Sequence, residues 1–255
     1  MLSSASNNND LVSIIMPCFN SANFIQESID SVLSQTYHNF ELIIIDDASN
    51  DNSLDIIKSF SDNRIKIIEL KKNQGAGVSR NKGIEMAQGR FIAFLDSDDI
   101  WHKDKLSLQI KFMLNNKYHL TYTNYQCFDK SGIRNTKYPP ESTSYDNLLY
   151  CNVIGCLTAI YDSHLIGKQY MPLIRKRQDM GLWLNIMKKY GPAYCLPKTL
   201  AYYRIDSGMT QNKISAAIYQ WIFYRKELKF NIFKSTKYFI GYAYNGLIKN
   251  KVKSK

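Results

Sequence analysis

The stretch FIAFLDSDD, residues 91–99, sets five apolar residues in a row against three acids and a serine. An unbroken apolar run of that length reads as a strand buried on both faces, as in parallel sheets covered by helices. Asp96, Asp98 and Asp99 then stand at the carboxyl end of that strand, where ligands bind in open α/β sheets. Three carboxylates so close repel one another unless a cation lies among them. Hard oxygen donors of this kind suit Mg²⁺ or Mn²⁺ shared with a phosphate-bearing substrate. A polar turn capping the next helix would use the same residue types; the buried strand in front of them tips the reading towards metal.

Upstream, the same design repeats. Phe40–Ile45 is a second buried strand, ending in Asp46 and Asp47, and Val12–Met16 is a β-rich run closed by Pro17. Ile65–Leu70 makes a fourth strand. Helical spacing marks Asn23–Thr36, Ser53–Phe60 and Gly77–Gln88 between them. Strands alternating with helices predict a parallel sheet with helices on both faces. Asp46 and Asp47 alone suit a turn or a helix cap. Two acid-tipped strands on one sheet edge point to a shared ligand site, where an acid accepts a hydrogen bond from a nucleobase or ribose.

Downstream the pattern loosens. We read a helix over Lys103–Asn115, a strand over Leu120–Phe128, a loop over Ser131–Tyr145 and a strand over Val153–Tyr161. A helix over Met180–Tyr190 is stopped by Gly191-Pro192, with Trp183 and Leu184 facing the core. Asp179, just before it, is either a cap or a functional acid. Tyr203-Arg204, ahead of Ser207-Gly208, reads as a loop. The segment from Ile214 onward is aromatic, basic and helical.

Residues 73–81, NQGAGVSRN, follow a strand and open a helix, but Arg80 occupies the third glycine position of a dinucleotide fingerprint, and no P-loop occurs. Arg80 near a helix start suits a phosphate contact or an ordinary solvated arginine.

Composition narrows the classes. With 45% hydrophobic and 22% charged residues the chain is globular rather than disordered, apart from the polar start MLSSASNNND. No apolar run reaches the roughly 18–20 residues of a membrane-spanning helix and no signal peptide is evident, so a cytoplasmic location is expected. Five cysteines without a CxxC pair suit reduced thiols, and four scattered histidines argue against a histidine-built metal site. Of the net charge of +11, eight units come from residue 225 onward, where nine bases face one acid, Glu227. Such a segment suits nucleic acid or an anionic membrane surface. Its lysines are interleaved with Ile232, Phe233, Tyr238, Phe239, Ile240 and Tyr242, which favours an amphipathic helix on a bilayer over nucleic acid. A core-packing helix with a solvated lysine end fits the same spacing.

Six segments together resemble family 2 of the inverting glycosyltransferases, which has the GT-A fold: VSIIMPCFN (12–20), ELIIIDDASND (41–51), NQGAGVSRNKGIEMAQG (73–89), FIAFLDSDDIW (91–101), RQDMGLWL (177–184) and YRIDSGMT (203–210). Their order and spacing match the family across about residues 11–210. The resemblance implies a GT-A domain with a mostly parallel central sheet: a nucleotide-sugar half over 11–100, an acceptor half over 101–210, and a basic helical tail over 211–255. It implies that Pro17 and Phe19 lie along the uracil, that Asn20 belongs to the nucleotide-binding set, that Asp47 accepts from the base, and that Arg80 lies near the nucleotide. Asp96, Ser97 and Asp98 would contact the nucleotide, Asp98 and Asp99 the Mn²⁺ or Mg²⁺ ion, and Arg204 the diphosphate. Asp179 matches the general base. Two positions depart from the family, which frequently has Glu-Asp where this chain has Gln178-Asp179, and often a histidine where it has Asp206.

The activity so implied is inverting transfer of a hexose, galactose or glucose, from a UDP-sugar to a hydroxyl of a lipid-diphosphate-linked glycan in bacterial surface-polysaccharide synthesis. The inner membrane surface would be met through residues 225–255. A nucleotidyltransferase that makes sugar nucleotides is the main rival, but MPCFNSANF after the first strand has neither the glycine nor the base such enzymes carry there. Nucleic acid is not an expected partner.

Overall fold

The computed structural model describes residues 10–206 and 213–251. The first four strands and three helices alternate as β1 (Val12–Cys18), α1 (Ile25–Leu33), β2 (Phe40–Asp46), α2 (Ser53–Lys58), β3 (Ile65–Glu69), α3 (Ala76–Met86) and β4 (Phe91–Phe94). There follow β5 (Ile100–Trp101), α4 (Lys105–Asn116), β6 (Leu120–Asp129), β7 (Gly132–Lys137), β8 (Ser142–Thr143), α5 (Tyr145–Tyr150), a 3₁₀ turn Cys156–Thr158, β9 (Ile160–Asp162) and α6 (Ser163–Ile166). The chain continues as α7 (Gln178–Tyr190), β10 (Ala193–Arg204), α8 (Lys213–Ile222), a π-helical turn Phe223–Glu227 and α9 (Ile232–Lys251). The polar start, residues 1–9, and the Ser207-Gly208 turn lie outside the described residues.

One sheet runs through the molecule in the order β3-β2-β1-β4-β9-β6-β10-β5, with β7 and β8 attached to β6 and β10. β3, β2, β1 and β4 are parallel throughout, and the strands beyond β4 mix both directions. The apolar runs are buried on both faces. Ile14, Met16, Leu42, Ile44, Phe91 and Ala93 pack with Ile25 and Ile29 of α1, Ile57 of α2 and Ile110 of α4. Their neighbours Ile15, Ile43, Ile45, Ile92 and Phe94 pack on the other side with Ile84 of α3 and Trp183 of α7. Trp183 and Leu184 face the core as expected, and the Trp183 ring meets Phe94 edge-on at 5.9 Å.

The sheet order positions the site. β1 is followed by β2 on one side while β4 lies on the other, so the crevice at the ends of β1 and β4 is a topological switch point, the usual ligand site of such sheets. Cys18 is level with Asp46 and Ile15 with Phe94, which brings both acidic strand ends to the end of β1.

Three expectations need correction. Ser131–Tyr145 is not a loop: β6 and β7 form a hairpin there with Gly132 at φ +105°, and β8 pairs with β10. Val153–Tyr161 is a strand only at its end, from Ile160; before it, the carbonyls of Leu157 and Thr158 accept from the side chains of Trp101 and Lys105 instead of a ladder. Tyr203-Arg204 closes β10, a strand of 12 residues, rather than sitting in a loop.

The C-terminal helices are part of the core on their inner side. Phe223, Tyr224 and Tyr238 are buried in it. Tyr224 donates to Leu149 O at 2.5 Å and Tyr238 to Asp146 Oδ1 at 3.1 Å. Gly241 lies so close to Tyr150 that a Cβ there would stand 2.3 Å from the ring. The core-packing reading of the tail therefore describes its inner face. No helix among the described residues is long and apolar enough to cross a membrane.

Candidate active site

Three loops meet beyond the end of β1. The first, after Cys18, is stapled to its neighbours: Asn20 N donates to Ser49 Oγ at 3.0 Å, Asn50 N donates back to Asn20 Oδ1 at 2.9 Å, and Ser21 Oγ lies 2.7 Å from Ser97 Oγ. Asn20 takes the left-handed conformation, φ 51°, in this turn. Pro17 is buried within β1, whereas Phe19 leaves nearly half its surface exposed, a free ring face at the mouth of the crevice.

The second loop carries Asp46 and Asp47, both buried. Asp47 accepts from the backbone N–H groups of Gln74 and Gly75 at 2.8 and 2.7 Å, which fixes the start of α3. Asp46 Oδ2 takes Ser49 N at 3.1 Å, while its Oδ1 is buried without a partner. The sequence reading named both acids as candidate acceptors, and the family resemblance singled out Asp47.

The third loop holds the 96–99 cluster. Buried Arg80 donates from Nη2 to Asp96 Oδ1 in an ion pair. Its Nη1 donates to Gln178 Oε1 at 3.2 Å, and its Nε is buried and unpaired. Burial opposes the guanidinium charge, but the Asp96 carboxylate, with Asp179 adding to it, outweighs burial and holds the group above its ordinary range. Asp99 is buried; Arg204 N donates to its Oδ1 at 2.8 Å and its Oδ2 has no partner. Burial, with Asp98 and Asp96 adding to it, holds the Asp99 carboxyl well above the usual range. Asp98 is half-buried and its carbonyl accepts from Arg204 Nε at 2.8 Å.

Arg204 braces this loop from behind. Its Nη2 pairs with Glu27 at 2.5 Å, and its guanidinium lies between the rings of Phe24 and Phe128, 4.6 and 4.4 Å from their centroids. Asp206 is exposed and accepts from Lys130 N at 3.3 Å.

Asp179 is not an N-cap. Arg177 holds that position with φ 71° and makes no side-chain cap, so Asp179 lies inside the first turn of α7. Asn152 donates from Nδ2 to Asp179 Oδ2 at 3.1 Å, and its own Oδ1 accepts from Ile154 N at 3.3 Å. The amide is thereby fixed with its donor side towards the acid. Asn152 was missed in the sequence because it falls between the segments read as loop and as strand, in a stretch with no pattern of its own. In the 3₁₀ turn Cys156–Thr158, burial pushes the Cys156 thiol well above the ordinary range, with Arg80 opposing and Asp96, Asp179 and Asp99 adding to the shift. Arg80, held between Asp96 and Gln178, thus ties the 96–99 loop to the residue before Asp179.

The residues suit a divalent cation only with help from a substrate. Among the described residues no group of three or more Asp, Glu, His or Cys side chains could hold a metal ion. Asp98 and Asp99 provide two carboxylates, one with an unpartnered oxygen. That matches the way Mg²⁺ and similar ions are held by one or two carboxylates plus substrate phosphates.

The family model described as Glycosyl transferase family 2 matches residues 13–164. TuaG of Bacillus subtilis, named for teichuronic acid biosynthesis, is 41% identical over 94% of this chain and 97% of its own length. WfgD of Escherichia coli, a UDP-Glc:alpha-D-GlcNAc-diphosphoundecaprenol beta-1,3-glucosyltransferase, is 41% identical over 83% of this chain and 84% of its own. The crystal structure of residues 1–349 of S. aureus TarS in complex with UDP superposes with a TM-score of 0.66 at 24% identity, across 76% of this chain and 60% of that one, a likeness of fold. On sequence, fold and site together, the chain belongs to glycosyltransferase family 2.

Proposed function

We propose that this glycosyltransferase moves a hexose from a UDP-sugar to a hydroxyl of a glycan carried on a lipid diphosphate, with inversion, in the synthesis of a bacterial surface polysaccharide. The observation that carries the reading is the buried Arg80 guanidinium, which pairs with Asp96 at the end of β4 and donates to Gln178, the residue before Asp179, and so ties the start of α7 to the crevice. The two close relatives above support the substrate class, since one is named for a surface polymer and the other for a UDP-sugar donor and a lipid diphosphate acceptor.

In this reading Phe19 and Pro17 line the uracil, with Asn20 fixing their turn. Asp47 keeps lone pairs beyond its two backbone bonds and accepts from the base. Asp96 and Ser97 face the nucleotide, and Arg80 sets the Asp96 carboxylate. Asp98, with Asp99 behind it, would hold Mn²⁺ or Mg²⁺. When bound, the cation neutralises charge on the leaving diphosphate. Arg204 fixes the Asp98–Asp99 backbone and adds positive charge beside these acids.

A sugar hydroxyl is a weak nucleophile, so Asp179 removes its proton as the oxygen attacks the anomeric carbon. Asn152 holds one Asp179 oxygen and leaves the other for the acceptor. The new C–O bond forms as the bond to the diphosphate breaks, through an oxocarbenium-like transition state, and UDP departs. Attack from the opposite face turns an α-linked donor into a β-glycoside.

The test is transfer and donor hydrolysis with a panel of nucleotide sugars. UDP-glucose or UDP-galactose should be consumed, and UDP should bind better than ADP or GDP. Equal affinity for the three diphosphates would remove the assignment of Asp47, and turnover only of non-uridine donors would overturn the donor class.

A further inference from the structure

α9 is apolar on two sides. Its inner side carries Ser235 and Tyr238, both buried, against the core. Its outer side carries Phe233, Ile240 and Tyr244, spaced i, i+7 and i+11, with Lys237 between them; Phe233 is 83% exposed. α8 repeats the design with Ile214, Ile218 and Ile222 at i, i+4 and i+8, all exposed. The two helices are neighbours, joined by an edge-on contact of Trp221 with Phe239 at 5.4 Å. A helix whose inner face is already packed gains nothing in water from a second apolar stripe, so such a stripe marks a surface meant to be covered.

The charges around it say by what. Arg225, Lys226, Lys229, Lys234 and Lys237 are exposed along the same segment, and Glu227 is the sole acid after residue 206. A second copy of this chain seated on the same face would set these bases against their own counterparts, which opposes a symmetric contact. An anionic surface attracts them, and lysines beside an apolar stripe can reach headgroups while their stems stay among apolar groups.

We propose that the outward stripes of α8 and α9 form a docking surface for an anionic lipid bilayer. The apolar side chains enter the headgroup boundary and the bases meet lipid phosphates. The inner side of α9 connects this surface to the active site, because Tyr242 accepts from Arg177 Nη2 at 2.9 Å, two residues before Asp179. Its purpose rests on the reading that the acceptor is lipid-borne; its test does not.

The full chain is sedimented with vesicles of phosphatidylglycerol and phosphatidylcholine, and with phosphatidylcholine alone, without donor or acceptor. Binding is expected to the anionic vesicles and to fall with added salt. The pair Phe233→Ser with Ile240→Ser, and separately Lys234→Glu with Lys237→Glu, should each lower partition at least about tenfold while UDP binding is kept. Unchanged partition of both variants, or equal binding to neutral vesicles at all salt concentrations, would overturn the proposal. So would a change from oligomer to monomer in the serine variant with vesicle binding intact, since a second copy would then cover the face. Transfer to a soluble acceptor reports on the proposed reaction separately, and the two results can fail independently.

Discussion

Arg80 Nη1 donates to Gln178 Oε1 at 3.2 Å, across 98 residues of sequence, while Nη2 of the same guanidinium pairs with Asp96. The helix that opens beside the nucleotide crevice is thereby fastened to the residue before Asp179. Gly77, one turn earlier on α3, approaches Gln178 so closely that a Cβ would meet its amide at 2.8 Å. Gln178 is neutral, so it satisfies the Arg80 donor while Asp96 meets the charge.

Arg80→Met should therefore do two kinds of damage. Removing one partner of a largely buried pair leaves Asp96 and Gln178 unsatisfied, at a cost of roughly 1–3 kcal/mol, because Asp96 is about a third exposed and water re-solvates it. Transfer should fall more than stability accounts for, since Asp96 and α7 both lose their anchor. Urea unfolding and initial rates measured on the same variant check both parts; a stable variant with unchanged rate would remove Arg80 from the site.

Lys105 gives a pH dependence with a defined sign. It is fully buried, donates to Gln109 Oε1 at 2.5 Å and Thr158 O at 3.3 Å, and pairs with no carboxylate among the described residues. Burial lowers its amine to about 7 from 10.5. Between those values the unfolded chain binds the proton that the folded chain has lost, so this group makes stability rise with pH from about 7 towards 10.5. Below 7 the full cost of burying the charge applies. Lys105→Met should be more stable than the natural protein at pH 7 by about 2–4 kcal/mol, with the gap closing as pH is raised. A gap constant across pH 6.5–9.5 would contradict the origin of the effect.

The parallel half of the fold was legible because strands buried on both faces are continuously apolar, and Phe40–Ile45 and Phe91–Leu95 carry no competing pattern. β10 was not. Pro197 and Lys198 interrupt its run, and the structure accommodates them with register shifts against β6 between Leu196 and Thr199. β7, with Arg134, Asn135, Thr136 and Lys137, is a polar hairpin arm and looks like loop. α5 is too short, at six residues, for helical periodicity to show. The acids of the site were visible as strand ends. The Asp179 partner Asn152 was not, because that contact joins positions 27 residues apart that only the fold brings together.

Tyr238 tests how firmly the C-terminal helix belongs to the core. It is buried among Tyr150, Tyr224 and Phe230 and donates to Asp146. Tyr238→Ala should cost about 3 kcal/mol of stability, as for large aromatic truncations in cores. An unchanged urea midpoint would mean that α9 is only a surface attachment.

Asp98→Asn and an excess of chelator should act alike. Each weakens cation binding, so transfer should fall by at least about 100-fold while the fold is kept, because Asp98 is half-buried and its backbone is held by Arg204. Full transfer in chelator would contradict the metal reading and leave Arg204 and Arg80 as the positive charges at the crevice.

The central claim is that Asp179 takes the acceptor proton, and Asp179→Asn tests it most directly. The residue lies in the first turn of α7 and does not cap it, so the loss of its charge should cost stability only a few tenths of a kcal/mol to about 1 kcal/mol. An asparagine carbonyl can still accept from Asn152, so the local geometry should survive. The amide cannot remove a proton, and a general base typically contributes ~10²–10⁴-fold. The variant should fold, bind UDP and divalent cation, and transfer at least roughly a hundredfold more slowly. Transfer within a few-fold of the natural rate would contradict the assignment of Asp179 as the base.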